Sequence, residues 1–210
     1  MAYPTEYQAL EPYDFLMGKV VNLKQESDMN INPKDFQIQV EELMNMIAWH
    51  ESARTMDPSI KQKSNVYSEE DPERVVGSKE GPGRGLYQYE LETLDGSGAG
   101  RTAMNNLLKA YSDKKGQMTT EGYNKLPKWA KQYFDTDNPS EYPNPKGDVD
   151  FSELTKEQQD ILFLADKLMG TAKIGDIGEI SNAEWWAKYH HKGGGDTAPF
   201  DTSRQSYINR

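Results

Sequence analysis

A carboxylate stands where an apolar helical stripe would next place a core residue. Phe36, Val40, Leu43 and Ile47 recur at spacings of four, three and four, with Met44 and Ala48 beside them, and the next step of four falls on Glu51. A carboxyl group carried to the core-facing side of a helix end is disfavoured as an anion. Its proton is then held toward the pH range in which a general acid works. Two competing readings turn Glu51 out to solvent or pair it with a nearby Arg or Lys.

Other spacings that resemble chemical sites do not complete. His50-Glu51 opens like a zinc-protease helix, but residue 54, where the second imidazole must stand on the same face, is arginine. His190 and His191 with Asp196 offer metal donors, yet neighbouring residues on a helix point apart, which favours structural or exposed histidines. Gly96 to Thr102 resembles a phosphate loop with Arg101 in place of lysine, no glycine at residue 95 and no hydrophobic strand before it, so it reads as a flexible turn. Asp135, Asp137 and Asn138 run into Pro139 and Ser140 and leave the calcium-loop pattern. No metal and no cofactor is expected. Glu90, Glu92 and Asp95, and Glu69 and Glu70 further from them, could offer a second carboxylate, but each taken singly reads as a solvated acid in a chain with excess negative charge.

The elements that must position Glu51 follow from local signals. Asn32 suits an N-cap, Pro33 the first helical position and Asp35 the positive end of the helix dipole, so a helix runs from there to Glu51. Residues 1–31 read as an N-terminal arm or a short helix around Asp14 to Lys24. Residues 53–84 read as a long irregular insertion that can hold a hairpin or a short turn of helix, ending in a tight turn over Gly81-Pro82-Gly83-Arg84-Gly85; Leu86 to Tyr89 then start a helix or a short strand. Helices are expected over 101–112 and 119–134, the latter containing Trp129, with a loop over 135–150. Thr155 and Gln158 form a capping box for the most hydrophobic helix of the chain, Ile161 to Met169, and a last helix spans about 182–192 before the glycines at 193–195. The final fifteen residues are polar and read as a surface tail. The expected fold is mainly α, a single α+β domain with irregular loops and little or no β-sheet.

Glu51-Ser52 closing an apolar helix, followed by Gly85-Leu86-Tyr87-Gln88, resembles the superfamily of goose-type lysozymes and soluble lytic transglycosylases. Trp185-Trp186 and Tyr189-His190 resemble the aromatic-rich C-terminal part of its phage members. The resemblance implies a lysozyme-like catalytic domain over 32–195, with residues 196–210 as the C-terminal tail. Gln88 stands 37 residues after Glu51, longer than the family's usual gap, so about 55–82 must be an inserted lobe or flap. What the family implies is a muramidase that cuts the β-1,4 bond between N-acetylmuramic acid and N-acetylglucosamine. Glu51 would protonate the bridging oxygen and then act as base, toward water or toward the muramoyl 6-hydroxyl. Ser52, Gly85, Tyr87, Gln88 and Tyr89 would form the sugar site, Ser52 supporting its wall, Gln88 bonding the N-acetyl group or orienting the substrate, and the two tyrosines as cleft residues able to stack on pyranose rings.

Composition bounds the partners. The 210 residues suffice for one domain, and a net charge of -10 with no run of Lys or Arg argues against a nucleic-acid binder. There are no cysteines, which excludes disulfides, thiolate metal sites and cysteine nucleophiles. No apolar stretch reaches 18 residues, so no membrane insertion is expected, and the N-terminus is not read as a signal peptide. The expected partners are peptidoglycan glycan strands and other phage virion or tail proteins. Such an enzyme reaches the periplasmic wall either from a tail-associated place in the virion or from host cytoplasm at lysis, and the acidic charge favours the virion. The rival expectations are a virion or tail protein that keeps the fold without activity, a chitin- or chitosan-cleaving enzyme, and an acidic helical interaction domain.

Overall fold

Among residues 11–71, 73–91, 98–135, 144–190 and 197–209, those described by the computed structural model, helices predominate and one small sheet flanks them. Glu92, Asp95, Gly96, Ser97, Asp137, Asn138, His191 and Asp196, named among the motifs above, lie outside the described residues, as do the glycines at 193–195. The expected mainly-α, α+β single domain is the fold observed. No helix among the described residues is long and apolar enough to cross a membrane.

The first helix, α1 (Pro12–Ser27), belongs to the core rather than standing off it as an arm. Leu16, Met17, Val20 and Val21 are buried along one face, and Phe15 stacks on Tyr111 with ring centroids 4.6 Å apart. Its stripe is hard to see in the sequence because the next position on it is Lys24. That lysine buries its methylene stem and carries its ammonium to the Gly175 carbonyl, 3.1 Å away.

Helix α2 (Pro33–Glu51) starts as expected. The Asn32 side chain accepts a hydrogen bond from the Lys34 N–H at 3.0 Å, and Phe36, Val40, Leu43 and Ile47 are all buried. The insertion after it is more regular than the sequence suggests. Strands β1 (Lys61–Tyr67) and β2 (Val75–Arg84) form an exposed antiparallel hairpin, and the short β3 (Tyr89–Glu90) returns on the other side of β2. Gly81, Pro82 and Gly83 lie in the strand and not in the expected turn. Between the pairs Lys61↔Arg84 and Lys63↔Glu80, these three residues face Gln62 alone, a bulge that accommodates a proline with no N–H to offer the ladder.

Helix α3 (Ala99–Tyr111) matches its expected span closely. The helix expected over 119–134 is two, α4 (Thr120–Lys125) and α5 (Lys128–Lys131). Pro127 divides them: it cannot continue the hydrogen-bond ladder and pushes Leu126 to an extended ψ of 142°. A two-stranded ribbon, β4 (Phe134–Asp135) with β5 (Asn144–Pro145), lies within the expected loop. Helix α6 (Lys156–Lys167) carries the Thr155–Gln158 capping box and buries Ile161, Leu162, Phe163, Leu164 and Ala165 in succession, because α1 and α3 pack on it.

After α7 (Thr171–Gly175) and the short α8 (Asn182–Trp185), residues Trp186–His190 continue as a π-helical turn. The chain then ends in α9 (Ala198–Ile208), where a surface tail was expected. The sequence there is polar, but Phe200 and Ser203 are buried and dock the helix against α2.

Candidate active site

Glu51 is the last residue of α2, and the chain bends sharply just beyond it. Ala53, Arg54 and Met56 adopt φ values of 50°, 67° and 54°, left-handed conformations that cost non-glycine residues roughly 1 kcal/mol or more each. Ser52 braces this bend. It is fully buried, its hydroxyl oxygen accepts from the Met56 N–H at 3.0 Å, and its carbonyl accepts from the Thr55 hydroxyl at 2.7 Å. With no exposed surface Ser52 does not meet substrate, contrary to what its place among the binding residues implied, and its burial fits the other role the resemblance gives it, support of the cleft wall from behind.

The facing wall is the turn from Gly85 to Gln88. Gly85 has φ +72°, and a Cβ there would lie 2.4 Å from the Gln159 side-chain oxygen, so both conformation and space require glycine. Gln159 is fully buried and acts as a hub. Its Oε1 accepts from the Leu86 N–H at 2.7 Å, while its Nε2 donates toward the carbonyls of Pro58, Phe151 and Leu154 at 2.8–2.9 Å. Gln88 itself is half-buried with φ 47°, and its Nε2 donates to the Gly85 carbonyl at 2.7 Å. Gly83 lets that side chain lie close, since a Cβ at 83 would stand 2.6 Å from Gln88 Oε1.

The two walls enclose a cleft of about 390 Å³, within the range of small-ligand sites, to which Glu51, Gln62, Gln88, Glu90, Lys167 and His190 contribute. Tyr87 and Tyr89 also touch it, but not as sugar-stacking platforms. They are 1% and 4% exposed, with rings stacked on Phe163 at 4.2 Å and Phe151 at 4.1 Å. Their hydroxyls donate to Asp160 at 2.7 Å and Asp166 at 2.8 Å. Burial, then the neighbouring Asp160 and Asp166 charges, raise both phenols well above the usual tyrosine value. The expectation of exposed stacking rings is thus corrected, because core packing has used both.

Trp186 and His190 complete the setting of Glu51. The indole Nε1 donates to Glu51 Oε1 at 2.6 Å, and His190 Nε2 stands 3.5 Å from the same oxygen. The side chains of Glu51 and His190 are 17% and 10% exposed. The wide turn over 186–190 brings Trp186 and His190 to one side, whereas the adjacent Trp185 points the other way and donates to the Lys173 carbonyl at 2.9 Å. A donor fixed on one carboxyl oxygen sets the rotation of the group at the cleft.

Deeper in the wall, Asp166 ties three elements together. Its carboxyl accepts from Tyr89, from Asn106 at 2.7 Å and from the Lys167 ammonium at 3.0 Å, joining β3, α3 and α6. Burial alone would raise its pKa. The Lys167 charge and the hydrogen bonds from Lys167, Tyr89 and Asn106 outweigh that and hold it below the usual aspartate value.

The structure thus brings Glu51, Gln88 and both tyrosines to one cleft, while Gly85 shapes the turn behind Gln88 against Gln159 and Ser52 lies buried beneath Glu51. Sequence reasoning did not single out Trp186 as a partner of Glu51, nor His190, Lys167, Gln62 or Gln159. Trp186 and His190, four apart, share a face in any helical reading of this segment, a signal that was there to be used but does not say which residue they face. Gln159 carried none, because a glutamine in a first helical turn reads as solvated. Among the described residues no three His, Asp or Glu side chains gather to hold a metal ion. Comparison with known protein families, curated proteins and solved structures finds no match.

Proposed function

We propose that this chain is a muramidase that cleaves the β-1,4 bond between N-acetylmuramic acid and N-acetylglucosamine in peptidoglycan. One observation carries the reading: the Glu51 carboxyl, 17% exposed and held by the Trp186 indole at 2.6 Å, meets the cleft whose other wall presents Gln88. A glycosidic bond breaks when its bridging oxygen receives a proton as positive charge develops at the sugar carbon, and a single oriented carboxylic acid can supply that proton. Glu51 is the donor in this scheme. Its carboxylate then takes a proton either from water, giving hydrolysis, or from the muramoyl 6-hydroxyl, giving a 1,6-anhydro end. Gln88 supplies an amide to orient the N-acetyl group. Glu90, exposed on the same cleft, is the second carboxylate available to steer water.

The hairpin of β1 and β2 supports the reading, since the long spacing from Glu51 to Gln88 requires an inserted lobe there. Delivery as a virion or tail component goes with this function, and its test is the presence of the chain in purified particles. The assay for the activity itself is clearing of peptidoglycan in a zymogram gel. Clearing by the wild type that is lost in Glu51→Gln is expected. Equal clearing by both rejects the site, and clearing by neither favours a structural virion protein with the same fold.

A further inference from the structure

We propose that the C-terminal helix α9 positions the acid, with Phe200 and Ser203 acting on Glu51 through Trp186 and His50. This rests on the glycosidase reading of the cleft and adds to it a part of the chain that the sequence presents as a tail.

The contacts run in an unbroken line. Phe200 is fully buried, and its ring lies 5.4 Å from Trp186 and 5.1 Å from His50, centroid to centroid. His50 and Trp186 meet edge to face at 4.8 Å. The Ser203 hydroxyl donates to the Pro199 carbonyl at 3.1 Å, which leaves its oxygen to accept from His50 Nδ1 at 3.0 Å. Behind these, Tyr207 packs edge-on against Trp49 at 5.9 Å. The indole whose N–H holds Glu51 is therefore bounded on its far side by α9 and by a histidine that α9 itself orients.

The consequence is mechanical. Trp186 sits in a five-residue π-helical turn rather than a long helix, so its ring is placed mainly by what packs around it. Removing Phe200 opens space behind that ring, and displacing a catalytic group by an ångström can cost two orders of magnitude in rate. A helix that docks through Phe200 and Ser203 thus decides whether the carboxyl keeps its aim.

Indole N–H signals test this without relying on activity. The full chain, labelled with nitrogen-15 on its tryptophans, gives four such signals, and Trp186→Phe identifies the one that matters. Glu51→Gln should move it, and Phe200→Ala and Ser203→Ala should move it too while leaving the Trp129 signal in place. The same two variants should lower kcat on peptidoglycan about tenfold with KM changed less than twofold. Ser203→Thr, which restores the hydroxyl, should recover both, and Gln205→Ala on the exposed side of α9 should alter neither. A Trp186 signal that stays put in folded Phe200→Ala and Ser203→Ala overturns the proposal, whatever happens to kcat. A signal that moves as described in a chain that cleaves no glycan overturns the muramidase reading and leaves the positioning contact standing.

Discussion

Replacing Gln159 with leucine keeps the side chain's bulk and removes an amide that serves four backbone groups. The Leu86 N–H loses its acceptor at 2.7 Å, and the carbonyls of Pro58, Phe151 and Leu154 lose a donor. All of this happens at a position with no exposed surface, so water cannot replace the amide without a cavity. An orphaned buried donor costs about 1–3 kcal/mol. The carbonyls cost less, because each has a second lone pair and the Phe151 oxygen still accepts from the Leu154 N–H. Together these give about 3–5 kcal/mol, a large part of the roughly 5–15 kcal/mol that holds a typical domain folded. For a chain of this size that corresponds to a Tm lowered by about 6–20 °C. Urea and thermal unfolding followed by circular dichroism measure it directly. A Gln159→Leu protein within 1 kcal/mol of wild type would refute the view that this amide holds the Gly85–Gln88 turn against α6.

Two further outcomes follow from the same wall. Gly85→Ala forces a Cβ to within 2.4 Å of Gln159 Oε1 at a φ of +72°, so it should destabilise by about 2–4 kcal/mol in urea unfolding and reduce glycan cleavage with it. Asp166 titrates lower folded than unfolded, so the unfolded chain binds more protons around the ordinary aspartate value near 4. Its stabilising contribution is present above that value and drains away as the pH falls through the folded one. Asp166→Asn should be less stable than wild type at pH 7 and should lose less further stability between about pH 5 and pH 3. Equal acid sensitivity of the two proteins in urea titrations would contradict the assignment.

The parts of the fold legible in the sequence were those whose signals are local and redundant. Helix α2 announced itself through the Asn32-Pro33-Asp35 start and its apolar stripe, and α6 through its capping box and continuous hydrophobicity. Glu51 could be singled out for the same reason, since a charge breaking a strong stripe is visible without tertiary information. What escaped depends on long-range packing. The inner face of α9 rests on Phe200 and Ser203 in an otherwise polar segment, and α1 hides a lysine in its stripe. The tyrosines beside Gln88 do reach the cleft, but sequence neighbours share a location and not a direction, so the sequence could not tell that their rings turn inward. The approach of Phe151, Phe163, Asp160 and Asp166 is what engages their rings and hydroxyls in the core. The hold of Trp186 on Glu51 joins residues 135 apart, and no pattern in one sequence reports it.

Mass spectrometry of the fragments released when the purified full chain is incubated with peptidoglycan reads the bond cut, the product and the acid together. Wild type should liberate disaccharide-peptides cut on the muramic acid side, with either a reducing or a 1,6-anhydro muramoyl end, and Glu51→Gln should liberate none. Intact glycan after incubation with a folded wild-type chain would rule out the muramidase, and the same fragments from Glu51→Gln would rule out Glu51 as its acid.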